Sequence, residues 1–379
     1  MVISSKPALL SIAIGAAGML SACETAMSPM ATLETIAVFN DTRPGNITVT
    51  PQGRVIVTQQ PLDQPKLRVV EILPDGSTQP FPNLDWSDGP GTGEVGIAAT
   101  IGIASDSNGI VWILDLGSAT SAPKLVAWDS VNDQLHRLID IPSEATRSTS
   151  FLQDFALDEK REKIYIADMT SPPLGTAPQP AFVVVDIKSG TSRRVLEGAK
   201  ALMPVATDIV INGSLVGSRS NEGSAIPARM GLNPITIDPA FEYVYFGTVN
   251  GNEIFRLPAA ALADSGHGRT DLMGMITHYA DKVPSDGIAV DRSGRVFVTD
   301  LESSGIGLAT PSGYQLIAQD DVRLLWPDGL ALGPGDWVYV TQDHLHGHPA
   351  LNEGIDGSVK PYHVVRFKLP PQDAPDSDN

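Results

Sequence analysis

A single short pattern occurs six times along this chain. Each copy has an apolar residue, a small or polar residue and a second apolar residue, then a turn with Asp, Asn or Gly, and then a β-rich run. The first apolar residue of each copy, called the anchor below, is Ile47, Ile103, Phe155, Ile235, Ile288 and Leu330. Successive anchors lie 56, 52, 80, 53 and 42 residues apart. Periods of this size indicate a repeat architecture, because one such unit is too small to bury its own apolar face.

Further strand signals follow the repeats. After the second repeat they lie at 124–129 and 135–141, and the third repeat has two runs of the same kind. Four strands per unit without a strong amphipathic helix predict an all-β fold, a six-bladed β-propeller with four-stranded blades over residues 34–368. Strands at 34–39 and 363–368 would pair in one blade and close the ring, which removes two exposed sheet edges.

The N-terminus has the pattern of a lipoprotein signal peptide over residues 1–22. Lys6 supplies a positive start, an apolar stretch runs from 8 to 20, and the segment ending at Cys23 resembles a bacterial lipoprotein box. Cys23 is the only cysteine, so lipidation would account for it, whereas an ordinary cleaved signal with a stray cysteine is the alternative. Glu24 follows instead of the Asp typical of inner-membrane retention, which predicts an exported outer-membrane lipoprotein facing the periplasm or cell surface.

Composition limits the partners of the chain. The formal net charge is -18 and no basic patch interrupts it, which excludes a nucleic-acid partner. Residues 23–33 read as a tether, and 369–379, rich in Pro and Asp, as a disordered tail. We therefore expect a monomer that binds a small molecule and meets the membrane only through its lipid anchor.

Several segments resemble the major royal jelly and yellow protein family. They begin at Gly109-Ile-Val-Trp-Ile-Leu-Asp-Leu-Gly and end at Trp326-Pro-Asp-Gly-Leu-Ala-Leu, with Lys163-Ile-Tyr-Ile-Ala-Asp-Met between them. The similarity extends over about 34–368, but Ala122 stands where insect members commonly carry a disulfide cysteine. The resemblance implies a six-bladed propeller with a small-molecule pocket in its central channel. Members of the family range from proteins linked to dopachrome isomerisation to amine binders and nutritive proteins.

A more distant resemblance points to gluconolactonase-type propellers, which hold a divalent cation on the axis. Their Asn and Asp ligands lie two residues before the anchor, where this chain has Asn233, Asp286 and Asp328. Oxygen ligands suit a divalent cation, with calcium the expected ion. Those enzymes also use a Glu in the first blade, but Gly45 and Asn46 stand there in this chain. Asp154 also lies near the axis, one position out of phase.

Two interpretations of these acids stay open. The Asp-Gly pairs at 286–287 and 328–329 would equally cap backbone amides in turns. With a cation bound, Asp286 or Asp328 would serve as general base in the hydrolysis of a lactone or the isomerisation of a cyclic carbonyl compound. A non-enzymatic protein that binds an aromatic amine, or a scaffold of the cell envelope, is the alternative function.

Other polar runs offer weaker candidates. His344, His346 and His348 would share one side of an extended chain and could bind a transition metal, or form a solvated loop. The long step between the third and fourth anchors contains insertions at 170–180 and 202–230, which are either functional or inert loops. Three polar residues of the second insertion could line the pocket mouth: Arg219, Asn221 and Glu222.

Overall fold

The computed structural model describes residues 1–2, 30–89, 95–172, 176–220 and 222–369. Its main feature is six antiparallel four-stranded sheets. The innermost strand of each sheet contacts the innermost strand of the next, and the last contacts the first, so the sheets form a closed ring. This confirms the predicted all-β six-bladed propeller. The signal peptide, Cys23 and the tail from residue 370 lie outside the described residues, so those predictions stay predictions.

The strands follow one another from the inner to the outer edge of each blade. The first strand of the chain is β1 (Glu34–Phe39), which belongs to the last blade. Blade 1 comprises β2 (Pro44–Val49), β3 (Val55–Gln59), β4 (Val69–Ile72) and β5 (Thr78–Pro80). Blade 2 comprises β6 (Thr100–Ser105), β7 (Ile110–Asp115), β8 (Lys124–Asp129) and β9 (Gln134–Asp140). Blade 3 comprises β10 (Leu152–Asp158), β11 (Lys163–Asp168), β12 (Ala181–Asp186) and β13 (Ser192–Val195).

Two small hairpins separate the third blade from the fourth. They are β14 (Val210–Ile211) with β15 (Ser214–Leu215), and β16 (Gly217–Arg219) with β17 (Ala225–Pro227). Blade 4 comprises β18 (Leu232–Ile237), β19 (Tyr243–Thr248), β20 (Glu253–Pro258) and β21 (Thr277–Asp281). Blade 5 comprises β22 (Ile288–Val290), β23 (Val296–Asp300), β24 (Gly305–Thr310) and β25 (Gly313–Gln319). Blade 6 comprises β26 (Pro327–Gly333), β27 (Trp337–Gln342) and β28 (Tyr362–Lys368), together with β1.

The helices are short. They are α1 (Leu84–Ser87), α2 (Ala259–Ala263) and α3 (Arg269–Met275), the last two lying between β20 and β21. Among the residues described, no helix is long and apolar enough to cross a membrane.

Ring closure follows the predicted arrangement. β28 lies between β27 and β1, and pairs with β1 in an antiparallel register from Glu34 opposite Arg366 to Phe39 opposite Tyr362. The Arg366 guanidinium also forms an ion pair with Glu34, 3.0 Å apart. The two ends of the chain therefore complete one blade, as the sequence predicted.

The apolar core is divided among the six blade interfaces. Each anchor packs into the cluster that its own blade shares with the preceding blade; Phe155, for example, contacts blade 2 residues, and Ile47 contacts blade 6 residues. Aromatic pairs strengthen these interfaces, such as Phe182 and Phe246 with ring centroids 5.1 Å apart at 87°. The anchor pattern recurs because every blade must bury the same face of its inner strand.

The insertion at 202–230 covers the end of the ring where the inner strands begin. Ile209 and Val216 join Trp326 and Leu345 in a separate apolar cluster above that end. The loop that follows β27 lies against the insertion, since Gly217 donates its backbone N–H to Leu351 at 2.9 Å. Together, residues 202–230 and 344–359 form a structure called the cap below.

Candidate functional site

The inner strands are irregular just before their anchors. β2, β6, β10, β18 and β26 each shift register against the second strand of their blade at that point. Such bulges change the direction in which a side chain points, and they are common beside active sites. In β10 the bulge lies between Leu152 and Asp154, so Asp154 reaches the channel together with Gln153. Asp154 therefore lines the axial channel, although it lies one position out of phase with the repeat.

Three threonines hold the strand starts of blades 5, 6 and 1 in place. Thr299 accepts the backbone N–H of Asp286 at 2.9 Å, and Thr341 accepts that of Gly329 at 2.8 Å. Thr58 accepts the N–H of Asn46 at 2.9 Å. Because each threonine is buried, these bonds fix the backbone that presents the axial side chains.

Asp286 occupies the most constrained position of the site. Its Oδ1 accepts a hydrogen bond from Asn233 Nδ2, and its Oδ2 accepts one from Trp326 Nε1 at 2.9 Å. Only 7% of the Asp286 side chain is exposed. Burial raises the pKa of its carboxyl to about 6, against these two hydrogen bonds, which lower it. Asp286 therefore exchanges its proton close to neutral pH.

Asp328 shares its surroundings with a second buried acid, Asp343. Burial raises the pKa of both carboxyls well above the usual range, and the charge of Asp286 raises them further. Their carboxyl groups are close enough for each to influence the pKa of the other. Asp328 Oδ2 and Asp343 Oδ2 have no hydrogen-bond partner within the described part of the chain. A proton on at least one of the two carboxyls avoids two adjacent buried negative charges.

Asp154 adds a further acid from blade 3. The Asn46 side chain and the backbone N–H of Phe155 hydrogen-bond to its carboxyl, but removal from bulk water raises the pKa to about 8. Asn46 thus participates in the site, although it is not the Glu of the lactonase pattern. Neither residue has a role that the repeat pattern alone predicts.

Lys282 is a buried cation that the sequence did not single out. Its ammonium group donates to the carbonyls of Thr248 at 2.9 Å, Gly251 at 2.6 Å and Val283 at 3.1 Å. Burial lowers the pKa of Lys282 to about 7, while the nearby charge of Asp286 raises it. It precedes β22 and lacks the repeat phase, which is why no pattern indicated it.

A cavity of about 500 Å³ runs along the axis inside the ring. All six inner strands line it, and Asn46, Asp154, Asn233, Asp286 and Asp328 lie at one end. The structure thus brings the three predicted residues, Asn233, Asp286 and Asp328, to one cavity. Apolar side chains of the anchors form much of the remaining wall, together with polar ones such as Thr48, Thr236 and Ser107, so the site combines apolar surface with an acidic end.

The histidine run is not extended. Leu345–Gly347 forms a 3-10 turn, and His344 has a left-handed backbone with a φ of 52°. The His346 ring stacks on Trp326 and packs edge-on against His344 at 4.3 Å. Burial lowers the pKa of His344 to about 4 and of His346 to about 3, so both are neutral at pH 7. The one-sided arrangement considered for an extended run therefore does not apply, because the chain turns here to build the cap.

Other predicted pocket residues lie away from the cavity or outside the described ranges. Arg219 forms an ion pair with Glu353 within the cap. Glu222 is exposed, and its backbone N–H bonds to Ser220. Asn221 is one of the residues that the structure does not describe.

The axial side chains have the donor chemistry of a divalent-cation site. Asn233, Asp286 and Asp328 offer only oxygen and amide groups to the cavity, and the buried Asp328 Oδ2 has no partner in the described regions. Where the structure describes the chain, no group of three or more His, Cys, Asp or Glu side chains is arranged to hold a metal ion. A cation here would therefore depend on the amide of Asn233 and on water as well as on carboxylates.

These features define a class: a six-bladed β-propeller with polar side chains gathered around its axis. The sequence from residue 98 to 346 matches the Major royal jelly protein family model. Because this match spans more than half of the chain, the protein belongs to the Major royal jelly protein family. The resemblance drawn from the sequence motifs is thereby confirmed.

Solved structures with the same architecture include a gluconolactonase from Xanthomonas campestris, with a TM-score of 0.54, 13% identity and coverage of 90% of each chain. The calcium-binding protein regucalcin from Agrobacterium tumefaciens has a TM-score of 0.53 and 12% identity over 89% of this chain and 94% of its own. A luciferin-regenerating enzyme has a TM-score of 0.55 and 12% identity over 89% and 95%. At these identities the likeness establishes the fold alone. A comparison with curated proteins finds no match.

Proposed function

We propose that this protein binds a small cyclic molecule in its axial channel and hydrolyses a lactone or isomerises a related cyclic carbonyl compound. The observation that carries this proposal is the set of buried acids at one end of an axial cavity of about 500 Å³, whose wall includes the apolar anchors. A cavity of that size is in the range of small-molecule sites. Gluconolactonase and regucalcin share the fold, which supports a lactonase-like reaction without establishing it.

The acids divide into two protonation states at neutral pH. Asp286, with a pKa of about 6, is mostly ionised and suited to accept a proton from an attacking water. Asp328 has a raised pKa and retains its proton beside Asp343, so it is suited to donate one. In lactone hydrolysis, water would add to the carbonyl carbon as Asp286 takes its proton. The ring C–O bond would then break as Asp328 protonates the departing oxygen.

A divalent cation is part of this proposal, with calcium the expected ion. Asn233 and the Asp286 carboxylate would hold it, joined by Asp328 once that carboxyl has released its proton, and it would supply a positive charge that polarises the substrate carbonyl. Asn233 and Trp326 orient the Asp286 carboxyl by their hydrogen bonds to it. Isothermal titration of chelator-treated protein with calcium tests this part separately.

Hydrolysis of dihydrocoumarin, a neutral aromatic lactone, tests the activity. We expect Asp286→Asn to lower kcat by about 100-fold or more, because the general base is lost. Asp281→Asn is the matched control, since its side chain is 79% exposed on an outer strand. Equal rates for wild type, Asp286→Asn and Asp328→Asn would refute the enzymatic proposal.

The apolar wall of the channel also favours a second candidate function, ligand binding without turnover. The neutral fluorescent amine N-phenyl-1-naphthylamine would then bind in the channel while dihydrocoumarin remained intact. Loss of that binding in Ala331→Phe, which would fill the channel, would assign it to the cavity.

We also propose that the mature protein is exported and anchored by lipid at Cys23. The signal-like residues 1–22 and the single cysteine support this proposal. Labelling of a bacterial host with a fatty-acid analogue should mark the wild type and not Cys23→Ser. Equal labelling of both would contradict it.

A further inference from the structure

The two ends of the axial channel differ in exposure. In β18, Asn233 is 3% exposed at the strand start, Thr236 is half-buried, and Pro239, in the turn that follows, is exposed. The same gradient runs along β6, from Ile101 at 3% to the exposed Ser107 in its turn. Ser107 and Pro239 both line the cavity. The channel therefore opens at the turns between inner and second strands, called the hairpin end below.

The opposite end is covered by the cap. Trp326 has no exposed surface, and Asp343 and His344 are 0% and 4% exposed. The cap is tied together by the Arg219–Glu353 ion pair and by the backbone bond from Gly217 to Leu351. Thus the acids lie at the covered end, and a ligand from solvent must travel the length of the inner strands to reach them.

Six small side chains form a collar around this route. Each lies one residue after an anchor, and all six line the cavity: Thr48, Ala104, Ala156, Thr236, Ala289 and Ala331. Inner strands of neighbouring blades are in contact, so larger side chains at this level would fill the channel. Ala156 is also buried between blades 3 and 4, and Ala104 and Ala331 pack against other blade interfaces, so the small residue of the pattern serves both blade packing and channel width.

The ionisable side chains that line this route are all acidic among the described residues. The cavity lining has no Lys, Arg or His among the described residues, but it includes Glu159 and Asp238 near the hairpin end and the acids at the covered end. A neutral ring would enter this acid-lined channel, whereas an anion would be repelled along its length. Opening a lactone produces a carboxylate, so the same channel would favour release of the product.

We infer that ligands enter at the hairpin end, and that the collar and the acids lining the channel select neutral compounds about one ring wide. This inference rests on the proposed function for the identity of the reaction, but not for the route. It makes Ala104, Ala289 and Ala331 specificity-determining residues, because they set the width of the channel. The covered end serves to hold the acids rather than to admit the substrate.

Accessibility of an introduced cysteine tests the route without any ligand. In a Cys23→Ser background, which has no other cysteine, Ala331→Cys places a thiol in the collar. We expect neutral methyl methanethiosulfonate to label it, and the anionic sulfonatoethyl reagent to react about tenfold more slowly, relative to an Asp281→Cys surface control.

Two additional substitutions distinguish the ends of the channel. Ser107→Trp should slow labelling of Ala331→Cys by about tenfold, because it narrows the hairpin end. Glu353→Ala, which breaks the ion pair of the cap, should leave the rate unchanged. Faster labelling with Glu353→Ala and no effect of Ser107→Trp would overturn the inference. Labelling through the hairpin end without lactone hydrolysis would instead refute only the proposed enzyme activity.

Discussion

Replacing Asp154 with asparagine should stabilise this protein, and increasingly so as pH rises. In the folded chain the Asp154 carboxyl has a pKa of about 8, compared with an ordinary value of 3.8. The unfolded chain therefore releases this proton at a lower pH than the folded chain, so stability is lost between pH 4 and pH 8. At about 1.4 kcal/mol for each pH unit, the loss at pH 7 is at most about 4 kcal/mol. Because Asp154 is only half-buried, on the wall of the channel, we expect a gain of about 1–3 kcal/mol for Asp154→Asn.

Urea unfolding in the presence of chelator, at pH 4, 7 and 8.5, measures this gain. Near pH 4 both proteins are nearly uncharged at this position and should have similar free energies of unfolding. At pH 8.5 the variant should have the higher urea midpoint, with an unchanged dependence on urea concentration. Gln153→Glu at the neighbouring position should show the opposite trend, since it adds a buried acid that has to ionise. A stabilisation of Asp154→Asn that is the same at all three pH values would refute the electrostatic argument.

Three further predictions concern packing, closure and the axial acid. Phe246→Ala should lower the free energy of unfolding by about 3–5 kcal/mol in urea titrations, because it empties a fully buried position between blades 3 and 4; a loss below 1 kcal/mol would contradict that packing. A chain lacking residues 1–39 should aggregate on size-exclusion chromatography, whereas one lacking 1–29 should remain folded, because only the first loses the strand that covers β28. Trp326→Phe removes the donor to Asp286 and should raise the pKa of that carboxyl, observed as an upward shift in the acid limb of the pH–rate profile; an unchanged limb would argue against the bond.

The fold was largely predictable because its information is local and repeated. Each anchor is followed by a turn and then a β-rich run, and the physical requirement to bury one face of the inner strand in each blade repeats that pattern six times. The pairing of 34–39 with 363–368 was predictable for the related reason that an open ring leaves two sheet edges unpaired. Both expectations match the observed strands.

The candidate site was predictable only where it follows the repeat. Asn233, Asp286 and Asp328 share one phase, and all three line the cavity. Asp343, Lys282 and the indole of Trp326 lie outside that phase, in segments whose positions depend on loop packing. Nothing in the sequence around them indicates that they converge on Asp286. The bulge in β10 illustrates the same limit, because one extra residue changes which of two neighbours faces the axis.

The position of β28 has a consequence for how the molecule is made. It pairs with β1 on one side and β27 on the other, and Glu34 meets a partner 332 residues later in the chain. During synthesis the first strand therefore waits, unpaired, until almost the entire polypeptide exists. Glu34 and Lys368, the two ends of the propeller, are also neighbours, so a few added residues between them would make the last blade continuous. New termini between Phe39 and Pro44 would then give a circular permutant whose blades are each built from one uninterrupted segment.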